Sequence, residues 1–156
     1  MDIVSYRTQL SKERHNVLIK EKEIAYDAEI NFDNPKKIVE MMNTIFQMDK
    51  LAEEYMYQIS FDSKMKILGI FEISHGLVNA TLVSARELMI RNLLCGAACF
   101  IICHNHPSGE VIASREDITI TRQISEAGKL MGIPLHDSII IGSDRYYSFH
   151  EDKQLD

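Results

Sequence analysis

Short apolar runs alternate along the chain with segments whose apolar side chains recur every three or four residues. The short runs are rich in Ile, Tyr and Phe and are bounded by Gly, Ser or Asp, which is typical of strands. They cover residues 55–61, 65–73, 98–103, 138–141 and 146–149. The segments with helical spacing cover residues 35–46, 84–95 and about 115–131. The pattern predicts a fold of mixed strands and helices.

Residues with preferences for turns and helix ends mark several boundaries. Asn34 followed by Pro35 predicts the start of the first helix, because Asn caps helices and Pro suits the first helical position. Ser84, with Glu87 three residues later, predicts a capping box at the start of the second helix. Residues 74–76, Ser-His-Gly, predict a bend after the second strand.

The two ends of the chain differ from its middle. Residues 1–34 are polar, with an edge strand predicted around 17–19 and partial alternation over 24–32. We expect this N-terminal extension to pack on the domain or on a neighbouring subunit of a homo-oligomer. Residues 35–150 form the expected domain, and residues 151–156 are expected to fray.

Composition and charge bound the function. The 156 residues are 46% hydrophobic and 26% charged, which is ordinary for one globular domain. No apolar run approaches the roughly 20 residues of a membrane span, and the first residues lack the order of a signal peptide. Three cysteines confined to one apolar stretch indicate a reducing compartment, so we predict a cytoplasmic protein. The formal net charge of −6 does not support nucleic-acid binding by this domain alone.

Two histidines close the apolar run at residues 99–103. In an extended segment residues i and i+2 point to the same side, so His104 and His106 can direct their imidazoles at one point. Ser114 and Asp117 lie three apart at a predicted helix start and share a face. Two imidazoles and a carboxylate are a set that catalytic zinc accepts, with the fourth position left to water. The sequence therefore predicts a zinc site.

A simpler interpretation of the same residues stays open. Ser114 and Asp117 also fit a helix N-cap with an acid in the first turn, which stabilises a helix by about 1 kcal/mol without any metal. The two roles are compatible, because Asp117 can ligate while Ser114 caps. Strand alternation directs Cys103 away from His104, so the thiol is not expected to ligate.

The segment from His104 to Asp117 resembles the JAMM metalloprotease signature of the JAB/MPN superfamily, in which His-x-His, a spacer and Ser-x-x-Asp follow one another. The wording His-Asn-His-Pro-Ser-Gly, then Ser-Arg-Glu-Asp, is similar to the RadC-like branch. The similarity covers about residues 35–150. It implies an α/β domain of three layers, JAB/MPN-like and related to cytidine deaminases, with a mixed β-sheet flanked by helices.

The same resemblance implies site residues and a reaction. The family has a Glu at the head of an early strand, which acts as general base; Glu54 fits this position and Glu53 is the alternative. Ser114 is expected to hydrogen-bond the attacking water or the developing oxyanion. The implied activity is a zinc-dependent hydrolysis of amide or isopeptide bonds in a protein or peptide substrate.

The sequence also departs from the family pattern. Ala113 stands where the family often has Pro, and His136-Asp137 reverses the usual Asp-His order, so no role is assigned to His136. His75 is kept as a candidate because a family loop near this position flanks the cleft.

Four other functions are weighed against the hydrolase. A JAB/MPN domain can serve as a non-enzymatic interaction module, and RadC-like proteins carry a historical DNA-repair label. A zinc deaminase is disfavoured because His-x-Glu with Pro-Cys-x-x-Cys is absent from the sequence. An HNH nuclease is disfavoured because the residues of that motif are spread along the chain rather than contiguous.

Overall fold

The computed structural model describes residues 1–27, 34–76 and 83–155. The strands in this part of the chain are β1 (Asp2–Leu10), β2 (Asn16–Ala25), β3 (Glu54–Phe61), β4 (Ile67–Gly76), β5 (Cys99–Asn105), β6 (Leu135–Ile141) and β7 (Tyr146–Ser148). The helices are α1 (Pro35–Phe46), α2 (Ala85–Cys95) and α3 (Arg115–Met131), and a single 3-10 turn covers Met48–Lys50.

The strands form one mixed sheet in the order β2-β1-β4-β3-β5-β6-β7. Neighbouring strands are antiparallel except for β1 with β4 and β5 with β6. The parallel pair β5–β6 is connected through α3, because parallel neighbours need a crossover. In such a unit the start of the helix lies beside the carboxyl end of the first strand. The end of β5 and the start of α3 are therefore neighbours.

Helices cover both faces of the sheet. On one face, α1 contributes Met41 and Met42 to a buried apolar cluster with side chains of β3, β5 and β6. On the other face, Leu88 of α2 and Ile120 and Ile124 of α3 join a second buried cluster. The protein thus has three layers with the mixed sheet in the middle, which confirms the α/β fold class implied by the sequence.

Strand β5 alternates between the two faces. Ile101 and Cys103 pack in the cluster on the α1 side, whereas Phe100 and Ile102 pack in the cluster on the α2–α3 side. His104 continues the second set, so its imidazole lies on the α3 side of the sheet. The expectation that Cys103 points away from His104 agrees with this packing.

Two predicted helix starts have different outcomes. At α1, the side chain of Asn34 accepts a hydrogen bond from the backbone N–H of Lys36 at 3.0 Å, as predicted. At α2, Ser84 makes no side-chain capping bond within the described residues. The Glu87 carboxylate lies 2.7 Å from the Arg86 guanidinium instead of reaching back to the helix start. The predicted capping box is therefore wrong, since a neighbouring cation takes the carboxylate.

The N-terminal strands enlarge the sheet. β2 is its outer strand, as predicted around residues 17–19, and β1 meets β4 through parallel pairing of Ser5 with Ile70. β4 continues through Gly76, which pairs with Glu54, so the predicted bend at residues 74–76 is wrong. The alternation predicted over 24–32 falls partly on residues 28–32, which lie outside the described part of the chain.

The end of the chain contacts the core. Leu155 is only 9% exposed and belongs to the cluster on the α2–α3 side, so the predicted fraying does not extend to this residue. Among the described residues, no helix has the length and apolar character needed to cross a membrane.

Gly128 allows α3 to approach the strand that follows it, which gives a test of this packing. A Cβ at this position would lie 2.6 Å from the carbonyl oxygen of Ile133. Gly128→Ala should gain about 1 kcal/mol of helix propensity but lose about 1–3 kcal/mol to overpacking. We expect a net loss of unfolding free energy in urea denaturation. Glu126→Ala, at an exposed position of α3, should change it by less than about 0.5 kcal/mol; equal stability of the two variants would contradict the close packing.

Candidate metal centre

His104 and His106 lie where β5 leaves the sheet. His104 is 2% exposed and pairs across the ladder with Met56 of β3 and Ile140 of β6. The backbone N–H of His106 donates to the carbonyl of Ile141 at 3.0 Å, which continues the contact with β6 for one more residue. The next residue is Pro107, which has no N–H to extend this ladder. Both imidazoles are therefore presented at the end of the strand.

Asp117 reaches the same point from the first turn of α3. Ser114 and Asp117 form a reciprocal capping box: the Asp117 N–H donates to Ser114 Oγ at 3.1 Å, and the Ser114 N–H donates to Asp117 Oδ2 at 2.7 Å. These two bonds fix the rotamer of the Asp117 side chain and satisfy backbone N–H groups at the N-terminus of α3. Asp117 therefore does both things that the sequence suggested: it takes part in the helix cap, and it meets the two histidines.

The donor atoms of the three residues form a small triangle. His104 Nε2 lies 3.1 Å from His106 Nε2 and 3.1 Å from Asp117 Oδ1, and His106 Nε2 lies 3.4 Å from Asp117 Oδ2. Four ligands at zinc–nitrogen and zinc–oxygen distances of about 2.0–2.1 Å in a tetrahedron lie about 3.3–3.4 Å from one another. The two histidines contact different oxygens of Asp117 at nearly this spacing, and one ligand atom from each residue lies within 4.8 Å of the others. These residues could therefore hold a metal ion.

Hydrogen bonds around the group set which atoms face its centre. His106 Nδ1 donates to the carbonyl oxygen of Glu110 at 3.0 Å, which leaves the lone pair of the neutral ring on Nε2. Asp117 Oδ2 already accepts from the Ser114 N–H, so Oδ1 is the oxygen held toward His104. Such contacts to the outer side of a ligand are typical of metal centres. They are present at His106 and Asp117, whereas His104 Nδ1 is buried without a hydrogen-bond partner among the described residues.

The group also perturbs protonation. Burial alone would raise the pKa of Asp117, but hydrogen bonds from His104, His106 and the Ser114 N–H outweigh it and hold that pKa well below its usual range. The hydrogen bond to Asp117 raises the pKa of His106 above 6.5 against the opposing effect of burial, and the charge of Glu54 adds to the increase. The carboxylate is thus ionised at neutral pH, as a ligand must be.

Glu54 and Glu53 are separated by the structure. Glu54 is half-buried at the first position of β3, two residues before Met56, which pairs with His104. Glu53 is exposed, and its carboxylate lies 2.8 Å from His75 Nε2 on β4. Glu53 is therefore directed to the neighbouring strand, and neither glutamate is a member of the donor triangle.

The remaining predicted residues have other surroundings. Ser114 Oγ accepts the capping bond, and its own O–H remains a possible donor. His75 stacks on Tyr55 with ring centroids 4.5 Å apart, and His136 stacks on His150 at 5.4 Å. Within the described ranges, His104, His106 and Asp117 form the one His, Cys, Asp and Glu group compact enough for a metal ion.

Sequence reasoning missed two contacts that support the site. The Glu110 carbonyl is a backbone group, which any residue type would supply, so the sequence carries no signal for it. Gly142, directly after β6, lies close to the loop between β5 and α3. A Cβ at this position would lie 2.3 Å from the carbonyl oxygen of Gly109. A glycine directly after the apolar run at residues 139–141 was the available signal for this close approach.

Comparisons with known proteins agree with this geometry. A sequence profile for a family described as RadC-like JAB domain matches residues 32–155. A UPF0758 protein of Clostridium perfringens is 38% identical over 124 residues, which are 80% of this chain and 54% of that protein. A UPF0758 protein of Methanococcoides burtonii is 36% identical over 135 residues, covering 83% of this chain and 59% of that protein. The chain thus spans a little more than half the length of these relatives.

Gly142→Ala tests whether the turn after β6 supports the metal centre. The added methyl group must displace Gly109, next to the Glu110 carbonyl that holds His106. We expect a loss of about 1–3 kcal/mol in unfolding free energy and a decrease of about 10–100-fold in zinc affinity, measured by urea denaturation and calorimetric titration. Gly128→Ala is the control, since it strains the opposite end of α3 and should leave zinc affinity unchanged. Equal zinc affinities in the two variants would show that the turn after β6 does not support the metal centre.

The pH dependence of metal binding is a second test. Only the deprotonated imidazole can ligate, and the pKa of His106 is raised above 6.5 in the metal-free protein. Zinc affinity should therefore already decrease as the pH falls through the region just above 6.5, by about tenfold per pH unit below the pKa of His106. Calorimetric zinc titrations between about pH 8 and pH 6 would measure this. An affinity that stays constant over this interval would show that His106 does not ligate.

Proposed function

Because the chain belongs to the RadC-like JAB domain family, we propose that it is a zinc-dependent hydrolase of amide or isopeptide bonds in proteins or peptides. The observation that carries the proposal is the donor triangle of His104, His106 and Asp117, whose closest donor contacts of 3.1–3.4 Å lie near the ligand spacing of a tetrahedral zinc site. Three protein ligands with the fourth position left to solvent is the arrangement of catalytic rather than structural zinc.

In this proposal the three ligands bind the ion, and the surrounding residues provide acid–base chemistry. A zinc ion held there would supply a water of lowered pKa, about 7 in catalytic zinc sites. A carboxylate oxygen of Glu54 accepts a proton from the attacking water and later delivers it to the leaving amine. The Ser114 hydroxyl donates a hydrogen bond to the oxygen that gains negative charge, which makes Ser114 a stabiliser rather than a nucleophile.

The position of Glu54 supports its assignment over Glu53. Glu54 is half-buried at the first position of β3, two residues before Met56, which pairs with His104. The Glu53 carboxylate is instead engaged by His75 on β4. A general base must lie within reach of the proton that it takes. Of the two neighbouring carboxylates, Glu54 meets this condition better.

We further propose that the protein acts in the cytoplasm. The cysteines Cys95, Cys99 and Cys103 are all free, and burial raises the pKa of each thiol. Unpaired, weakly acidic thiols suit a reducing compartment.

Metal content gives the first test. Protein purified without chelators in zinc-replete medium should contain about one zinc per chain by elemental analysis. His104→Ala, His106→Ala and Asp117→Ala should each lower zinc affinity at least about 100-fold, because a three-ligand site loses one donor. His15→Ala, which removes an exposed histidine in the β1–β2 turn, is the matched control and should bind zinc normally. Wild-type protein without any divalent ion under these conditions would contradict the proposal.

Glu54→Gln tests the chemistry separately from the metal. The variant should retain zinc and lose about 10²–10⁴-fold in hydrolysis of a pool of internally quenched peptides and lysine-isopeptide conjugates, because the amide cannot accept the proton. Glu53→Gln, one residue away, should retain full activity. Zinc binding without hydrolysis by the wild-type protein would instead favour a non-enzymatic interaction module, and full activity of Glu54→Gln would exclude Glu54 as the base.

A further inference from the structure

The side chain between the two histidines holds the start of β3. Asn105 is 1% exposed, and its Oδ1 accepts a hydrogen bond from the backbone N–H of Tyr55 at 2.7 Å. Its Nδ2 donates to the backbone carbonyl of Glu53 at 3.0 Å. The amide therefore bonds to the peptide groups on both sides of Glu54, which is 51 positions earlier in the chain.

This side chain replaces a backbone ladder that ends one residue earlier. Strands β3 and β5 pair from Phe61 with Cys99 to Met56 with His104, and no pairing of Tyr55 with Asn105 continues this register. Beyond this point β5 stays with β6, because the His106 N–H donates to Ile141. The two strands thus separate beside the donor triangle, and the Asn105 amide bridges the gap.

The chemistry of the bridge requires an amide. Tyr55 offers a donor and Glu53 offers an acceptor, so the partner must supply one acceptor and one donor with a fixed spacing. Asn provides both in one planar group, whereas Asp provides no donor and Ala provides neither. In the opposite orientation, the amide NH₂ would face the Tyr55 N–H and the amide oxygen would face the Glu53 carbonyl. The contacts therefore also assign which atom of the amide is oxygen. Buried amide groups that lose such partners cost free energy, which makes the arrangement specific.

We propose that Asn105 is a positioning residue, which fixes the backbone on both sides of Glu54 so that the carboxylate is held beside His104, His106 and Asp117. The inference rests on the proposed function, in which Glu54 is the base. Asn105 acts through Glu54, since its amide bonds to the backbone of Tyr55 and Glu53 rather than to a metal-ligand side chain. Proton transfer depends steeply on the placement of the base, so loosening of this segment should lower turnover more than substrate or metal affinity.

The first experiment uses the metal-free full chain and needs no substrate. Amide hydrogen exchange by NMR should show exchange at Tyr55 about tenfold faster in Asn105→Ala than in the wild type, because the acceptor of that N–H is removed. Exchange at Ile59, in the middle of β3, reports global stability and corrects for it. Asn43→Ala removes a comparable acceptor, from the Asp49 N–H at 3.2 Å, and should leave the ratio of Tyr55 to Ile59 exchange unchanged. An unchanged ratio in Asn105→Ala would overturn the inference.

The second experiment separates positioning from metal binding and from general damage. Asn105→Ala should bind zinc within about threefold of the wild type and lose at least about tenfold in kcat on a cleaved peptide, with KM little changed. In the Glu54→Gln background the same substitution should cause no further loss, since both act on one step. An equal loss in both backgrounds, or zinc affinity reduced as in His104→Ala, would overturn the inference.

Failure of the proposed function has a different signature. It is seen as zinc binding without hydrolysis, or as full activity of Glu54→Gln, whatever the exchange ratio at Tyr55. In those cases the amide bridge remains a structural contact, and a role in positioning a base is excluded.

Discussion

The reciprocal hydrogen bonds between Ser114 and Asp117 are the interaction on which the centre depends. They fix the residue at which α3 begins, and they also direct the Asp117 carboxylate toward two imidazoles. Asp117 is only 5% exposed, and a buried carboxylate is tolerated only when its lone pairs are used. The Ser114 N–H, His104 and His106 use them, and the positive end of the helix adds to their effect. Helix start and donor triangle are therefore one structure, and a shift of α3 by one residue would destroy both.

The local part of this arrangement could be predicted from sequence. Strand alternation places His104 and His106 on one side, and helical spacing places Asp117 above Ser114, so each pair needs only the period of its own element. The parallel connection from β5 through α3 to β6 then brings the two pairs together. The family resemblance implied the three layers, the mixed sheet and the class of fold, and the structure has all of them.

The remaining features depend on contacts that a single sequence does not encode. The different surroundings of Glu53 and Glu54 depend on tertiary contacts, because the Glu53 carboxylate meets His75 of β4 whereas Glu54 begins β3. The Glu110 carbonyl is invisible to any pattern of side chains. At Ser84 the capping residues were present, but the Arg86 guanidinium competes for Glu87 and no capping box forms. Local propensity fails at such points because a nearby side chain offers a better partner.

Strand β5 carries a thiol and an imidazole in consecutive positions on opposite sides of the sheet. Cys103 is fully enclosed on the α1 side, where burial raises its pKa well above the usual value, while His104 faces α3. Sulfur is thereby kept out of a donor set made of nitrogen and oxygen. Soft ions such as Cu(I) prefer thiolates, whereas imidazole and carboxylate suit borderline ions. The pleat of a single strand thus places the Cys103 thiol and the His104 imidazole on opposite faces of the sheet, and burial keeps the thiol away from solvent.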